Sequence, residues 1–475
     1  MFELSVAKKY LIPRKKQLSV SLIAVMSVTV ISLVVWLILV FLSVTDGIER
    51  NWLQKLTALN APLRITPTEK YYTSYYYQID ALSLASEYAH KTIGEKLHAP
   101  LTDPYSPEED AELPLYWPPS DHKDPVKEIF RILADLKHKQ SDLAFQDYEL
   151  SGALMRLEFI RPPLNEPSFL TQISYLASFS DQSPYLRSLL LESIDSLPHE
   201  GILLAKSLQD SGIRVGDRGY LAYPGANTEQ KLPVHVAGFY DPGVMAVGNR
   251  YILVHPSVTR SINASSNTYA FDRLSSNGIL VWFKDLNSAP KMKADLEKAL
   301  EQAGLSSYWK ISTFREYDFA KDLLQQFQSD KYLFTLLAGI ILIVACCNII
   351  SLLVLLVNDK KREIGILQAM GASSKSIASI FGLCGILMGI ASCLIGVGAA
   401  LLTLHNIDYV VRALSLLQGH DAFNVAFFGK SLPSELSSSA LLFVLIATPL
   451  LSLAAGLVPA IKACSLRPST ILRSE

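Results

Sequence analysis

At 475 residues, half of them apolar and with a mean hydropathy of +0.25, the chain is too apolar for an ordinary soluble globular protein. It is long enough for a membrane part plus one or two soluble domains. Its 43 Lys and Arg against 44 Asp and Glu leave no global electrostatic footprint for nucleic acid.

Four stretches lack Asp, Glu, Lys and Arg for long enough to cross a hydrocarbon core as helices: residues 17–45, 332–358, 376–405 and 437–461. The first is too long for a cleaved signal peptide, and LSVTDG offers no small-residue cleavage site, so it reads as a retained span. Basic residues cluster at Lys8, Lys9, Arg14, Lys15 and Lys16, at Lys360, Lys361, Arg362 and Lys375, and at Lys462, Arg467 and Arg473. The positive-inside bias makes these the cytoplasmic sides. The predicted order is a cytoplasmic N-terminus (1–16), span one (17–45), an extracytoplasmic domain (46–331), span two (332–358), a cytoplasmic coupling helix (359–375), span three (376–405), an outer loop (406–436), span four (437–461) and a cytoplasmic tail (462–475). All five cysteines, Cys346, Cys347, Cys384, Cys393 and Cys464, fall in spans or the tail and read as small packing residues. The outer domain therefore relies on its own core.

Within that domain, KYYTSYYYQ puts five tyrosines between Tyr71 and Tyr77, either amphipathic rings at a headgroup or ligand surface or an aromatic strand or turn. Residues 100–125, with seven prolines and seven acidic residues, read as an exposed loop or insertion. APLRITP, KLPVHVAGFY, NRYILVHP and NGILVWFKD are bounded by turn residues and predict strands. DPVKEIFRILADLKHK and APKMKADLEKALEQAG predict helices, the second ending at Gly304. With YWKISTF this gives a β-α-β unit and a possible ferredoxin-like piece. Phe319, Leu323 and Phe327 then recur every fourth residue opposite Asp318, Asp322, Gln325 and Gln326. No Gly or Pro interrupts residues 316–337, which predicts a stalk helix (316–331) running into span two.

Catalytic signals are absent or incomplete. FFGKS (427–431) has the ending of a phosphate loop without its earlier glycine; His199 and Glu200 lack the second histidine of a zinc helix; Pro290 disrupts Ser288–Lys291 as a nucleophile–base pair. The chain is expected not to be an enzyme. In span three, Gly382, Gly385, Gly389, Gly396 and Gly398 permit close helix approach, either inside one bundle or between subunits.

The stretch NDKKREIGILQAMGAS follows span two directly. Topology alone accounts for Lys360, Lys361 and Arg362. An apolar stripe of Ile364, Ile366, Leu367 and Met370, closed by Gly371, instead suits a helix that fills a groove on a partner or lies on the inner leaflet. Burying three such side chains contributes about 5 kcal/mol before ordering costs.

REIGILQAMGAS resembles the coupling segment of FtsX-like and MacB-like ABC permeases, and further stretches narrow the resemblance to the lipoprotein-releasing permeases of the LolC/LolE type. LSVTDGIE, ILLAKSLQDSGIRVGDRGYLAYPG, KLPVHVAGFYDPG, CNIISLLVLLVNDKKREIGILQAMG and LVPAIKACSLRPSTILRSE carry it. The resemblance implies an α-helical membrane protein with four transmembrane helices and a large mixed α/β extracytoplasmic, MacB-like periplasmic domain between helices 1 and 2. It implies a multi-pass protein of the bacterial inner membrane with both termini cytoplasmic. It binds no cofactor itself; ATP and Mg sit on a LolD-like ATPase, engaged through Glu363, Ile364, Gly365, Ile366, Leu367, Met370 and Gly371. A second permease chain, the same or paralogous, completes the core. A lipoprotein substrate would enter from membrane lipid through a cavity lined by Leu39, Leu42, Thr45, Ile48, Trp52, Phe327, Leu333, Phe334 and Leu337, and leave on a LolA-like periplasmic carrier. Thr45 and Asp46 depart from the family's Met and Asn and predict a more polar, slightly negative cavity mouth. The carrier-binding loop falls on Gly225, Ala226, Asn227, Thr228, Glu229, Gln230 and Lys231, a short version. A MacB-like efflux permease and an FtsX-like regulator of a cell-wall hydrolase are the alternatives; the first usually has a fused ATPase and the second a shorter outer loop.

Overall fold

The computed structural model describes residues 3, 6, 7, 18–88, 91–98, 104–113, 124–161, 166–179, 184–192, 194, 196–225, 228–242, 250–265, 276–420 and 434–464. It divides into two units, Met1–Asn51 with Gln325–Glu475, and Trp52–Leu324. In chain order the main elements are α1 (Leu18–Asn60), β1 (Leu63–Pro67), α2 (Pro125–Lys139), β2 (Ala144–Arg161), β3 (Glu166–Ser178), β4 (Gly201–Ala205), β5 (Arg218–Pro224), β6 (Glu229–Tyr240), β7 (Tyr251–Val254), α3 (Pro256–Ser265), β8 (Asn277–Trp282), α4 (Ala289–Gln302) and β9 (Trp309–Thr313). There follow α5 (Asp318–Asp359), α6 (Lys361–Ala369), α7 (Ser374–His405), α8 (Ile407–Gln418) and α9 (Ser438–Cys464).

The Trp52–Leu324 unit is mixed α and β. In β1, Leu63 and Ile65 are fully buried while Arg64 and Thr66 are half-buried, the alternation of a strand with one core face. β1 pairs antiparallel with both β8 and β9. The predicted β-α-β unit of β8, α4 and β9 thus exists with β1 threaded between its strands, a split arrangement that no local pattern reveals. α4 stops where expected, with Gly304 at φ +70°. The first half of β2 continues this sheet along β8, and its second half pairs with both β3 and β5. From there the pairings β3–β7, β7–β4, β4–β6 and β6–β5 close a ring of six strands around Met155, Leu157, Leu176, Ile202, Val236 and Ile252. α2 begins at Asp124, whose carboxylate accepts from Val126 N at 2.9 Å and Lys127 N at 3.1 Å, and buries Val126, Ile129, Phe130 and Leu133.

One expectation changes here. The tyrosine stretch is neither strand nor single turn: Glu69–Tyr72 and Tyr75–Gln78 are one-turn helices, because Ser74 caps the second by accepting from Tyr77 N. Tyr71, Tyr72, Tyr76 and Tyr77 are buried, with Tyr71 5.2 Å from Trp309, so these rings belong to the unit's core. The described part of the acidic insertion is tied down: Asp110 accepts from Ser106 N and Leu84 N, and Ser83 donates to Pro104 O. Residues 100–103 and 114–123 lie outside the described residues.

In the other unit, α1, α5, α7 and α9 are each long and apolar enough to cross a membrane. Their inward faces share one apolar cluster, including Val35, Ile38, Leu342, Ile349, Leu353, Phe381, Cys384 and Val444. Gly385 and Gly389 of α7 face α9: a Cβ would run into the Ser452 backbone O at the first and stand 2.7 Å from Ser452 Oγ at the second. Gly396 meets Val35 of α1 in the same way. The glycine face of α7 is therefore used for packing within the chain. α5 is continuous but starts at Asp318 instead of Glu316, since Glu316 accepts from Thr313 N and pairs with Lys293 in the preceding turn. The region 406–436, expected as a loop, contains α8; residues 421–433, and with them FFGKS, lie outside the described residues, as do the basic N-terminal cluster and the tail beyond 464.

Candidate functional site

α6 is separated from α5 by Lys360 alone, which is buried and holds Glu363 Oε1 at 2.6 Å. Its C-terminus closes through two backbone bonds, Ala372 N to Leu367 O and Gly371 N to Gln368 O, both 3.0 Å, with Gly371 at φ +95°. Only a residue tolerant of left-handed backbone fits this closure. Ser373 then caps α7 by accepting from Ser376 N at 3.2 Å. The helix is shorter than the 359–375 predicted, because Asp359 ends α5 and Ser374 and Lys375 open α7. Its apolar stripe also divides. Ile364 and Gly365 are buried, Ile364 within the helix-bundle cluster; Ile366 is 45% and Met370 80% exposed, and Leu367 is half-buried. At 100° per residue Ile364 faces away from Ile366 and Met370, so one side chain anchors the helix and the others project. Glu363 is exposed beside them.

The expected cavity residues scatter. Leu39 and Leu42 are buried in the bundle cluster, and Trp52 is buried in the Trp52–Leu324 unit. Thr45 is half-buried and donates to Phe41 O; Ile48 and Phe327 are half-buried. Leu333 and Leu337 are exposed on α5, and Phe334 meets Phe41 edge to face at 4.6 Å. Phe41, half-exposed on α1, is the contact that the sequence reading missed. The negative mouth expected from Asp46 is corrected: Lys331 Nζ lies 2.6 Å from Asp46 Oδ1, and Ser437 and Ser439 donate to Oδ2, so the charge is matched and buried.

The carrier-loop residues are also corrected. Pro224 pairs with Glu229, Tyr223 with Gln230 and Ala222 with Lys231, so Glu229, Gln230 and Lys231 belong to β6. The turn contracts to residues 225–228, closed by Gly225 N to Thr228 O at 3.0 Å; Ala226 and Asn227 lie outside the described residues.

The family model for the FtsX-like permease C-terminal domain matches residues 335–468, the segment from within α5 through α6 and α7 to the end of α9. Over this segment the chain is similar to FtsX-like permeases. It is similar to two lipoprotein-releasing system transmembrane proteins of Haemophilus influenzae: LolE, 35% identical over 28% of this chain and 32% of the relative, and LolC, 33% identical over 32% of this chain and 36% of the relative. The chain thus spans about a third of the length of each of these two. LolC of Xylella fastidiosa is 25% identical over 69% of this chain and 77% of its own length. The resemblance to lipoprotein-releasing permeases seen in the motifs is matched by these relatives.

Elsewhere in the chain, one histidine pair stands out in the Trp52–Leu324 unit. His199 Nδ1 lies 3.0 Å from Ser257 Oγ, which also meets His255 Nδ1 at 2.7 Å, and the two ring centroids are 4.2 Å apart in an edge-on arrangement. Among the described residues no group of three or more His, Cys, Asp or Glu could hold a metal ion. Cys346 is buried and Cys347 exposed, the different faces expected of adjacent helical residues.

Proposed function

We propose that this chain is the permease subunit of an ABC transporter that releases lipoproteins from the outer leaflet of the bacterial inner membrane to a LolA-like periplasmic carrier, driven by a separate LolD-like ATPase. In this reading both termini are cytoplasmic, the Trp52–Leu324 unit is periplasmic, and a second permease chain completes the core. ATP and Mg belong to the partner. The observation that carries the proposal is α6, a capped helix anchored by Ile364 that exposes Glu363, Ile366 and Met370 immediately after a span-length helix. A surface peptide with no partner has no reason to be fixed at both ends while projecting apolar side chains.

The reading assigns the work as follows. The ATPase receives Ile366, Leu367 and Met370 in a groove, with Glu363 and Gly371 fixing the orientation. Nucleotide-driven closure displaces α6 and with it α5, which runs without a break to Asp318. Three acyl chains with roughly 45 methylenes, at about 0.8 kcal/mol each, would cost on the order of 35 kcal/mol if fully wetted, so cargo must stay against apolar surface. Leu333, Leu337 and Phe41 offer such surface as it stands; Leu39 and Leu42 join it only if α1 parts from its neighbours.

Purification of the full chain from its host in mild detergent tests this. A co-purifying ATPase and lipidated protein support it; recovery of a cell-wall hydrolase without lipoprotein would overturn it in favour of a regulator of the FtsX kind.

A further inference from the structure

The coupling reading leaves α8 without a task. Asn406 closes α7 and opens α8, donating from Nδ2 to Leu402 O at 3.0 Å and accepting from Tyr409 N at 3.1 Å. No linker intervenes, so α8 is held at the end of a span-length helix.

Its height follows from the neighbouring helices. Cys393 Sγ contacts Val444 O, which fixes the register of α7 against α9. From that contact His405 is five residues further out than Ser437, about 7.5 Å at 1.5 Å per residue. Ser437 sits on Asp46, where the first charge after the apolar stretch of α1 meets Lys331, the last before that of α5. That polar node marks the edge of the hydrocarbon, and the headgroup layer beyond an edge is about 5–7 Å deep.

The faces of α8 match that layer. Ile407 is buried and Val411 and Ser415 half-buried against the chain itself. Asp408 and Arg412 form a narrow polar strip. Tyr409, Val410, Leu414, Leu416 and Leu417 are exposed, the last two at 84% and 85%, on one arc of about 160° at 100° per residue. A water-facing helix leaves apolar residues singly and not as one continuous arc.

We propose that α8 is an interfacial anchor lying in the phospholipid headgroup layer, with Val410, Leu414 and Leu417 turned to the acyl chains and Asp408 and Arg412 to water. The occupant of the apolar arc is lipid because α8 follows, across Asn406 alone, a span-length helix that exposes Leu394, Ile395, Leu401 and Leu402. Tyr409, with the Arg412 guanidinium 5.9 Å from its ring centre, has the amphipathic character that such a layer selects.

A nitroxide scan of residues 407–418 tests it, on the full chain with its native cysteines replaced, reconstituted in phosphatidylethanolamine–phosphatidylglycerol vesicles. Collisions with oxygen should exceed those with a water-soluble nickel chelate severalfold at Leu417→Cys and Leu414→Cys, reverse at Asp408→Cys, and oscillate with the helical period. Nickel dominance throughout would overturn the proposal, and so would spin–spin broadening at Leu417→Cys, which would assign the arc to a second copy. If the cysteine-free background fails to fold, Leu417→Trp in the otherwise native chain gives the same decision. Quenching of its added fluorescence by shallow brominated lipid is expected; quenching by aqueous iodide alone, or by neither agent, refutes lipid contact. None of these readouts requires the transport reading to hold.

Discussion

Lys331 Nζ lies 2.6 Å from Asp46 Oδ1, joining the charge that ends the apolar stretch of α1 to the one that precedes the apolar stretch of α5. The other carboxylate oxygen takes the hydroxyls of Ser437 and Ser439. Removing Lys331 leaves a buried carboxylate without its cation, which costs more than removing both charges together. Lys331→Met should lower unfolding stability in detergent by about 2 kcal/mol, and Lys331→Met with Asp46→Asn by less. Equal losses in the two variants would show the pair to be uncoupled.

The glycines of α7 divide into two classes. Gly385→Ala places a methyl against Ser452 O and should destabilise the bundle by about 1–3 kcal/mol, whereas Gly398→Ala meets nothing within 4 Å and should be neutral or slightly stabilising. Thermal unfolding of the two variants in the same detergent checks this.

On α6, burial separates anchoring from engagement. Met370→Asp, at an 80% exposed position, should leave the unfolding midpoint unchanged while weakening binding of the proposed ATPase at least about tenfold, close to 1.4 kcal/mol. Ile364→Asp should unfold the bundle instead, because it buries a charge in the apolar cluster that the bundle helices share. Unchanged ATPase affinity of a folded Met370→Asp would remove the projecting side chains from the interface.

Acidity bears on the Trp52–Leu324 unit. Burial, then Glu95 and Asp147, push the Glu149 carboxyl up to about 7, and burial raises Asp147 as well. A folded-state value above the ordinary 4.5 means that the folded form holds a proton that the unfolded chain has released. Glu149 therefore contributes stability that is complete below about pH 4.5 and lost as pH rises to about 7. Urea midpoints should fall over that window, and Glu149→Gln should flatten the fall.

How much was legible follows from the range of each interaction. The capping of α4 at Gly304 and of α6 at Gly371 was readable because left-handed closure needs a residue type that the sequence displays. The amphipathic period of α8 was present in IDYVVRALSLLQ but was read as loop, since its span-like apolarity is interrupted by Asp408 and Arg412. The stripe on α6 was seen as one face, although its own spacing places Ile364 apart from Ile366 and Met370. The carrier loop was drawn too long because it was placed by resemblance alone, whereas the pairing of Glu229, Gln230 and Lys231 with β5 makes them strand.

Local chemistry alone determined the four apolar stretches and the glycine closures of α4 and α6, because hydrocarbon tolerates no unpaired charge or backbone group for some 20 residues and left-handed closure needs a glycine, so both write themselves into the sequence. Tertiary structure decided which glycines touch α9, that Asp46 is neutralised by Lys331 and two serines, and that Arg64 is stacked between Tyr148 and Tyr317 at 5.1 and 4.8 Å. Those relationships join residues tens to hundreds of positions apart, and only the packing of the folded chain sets their distances.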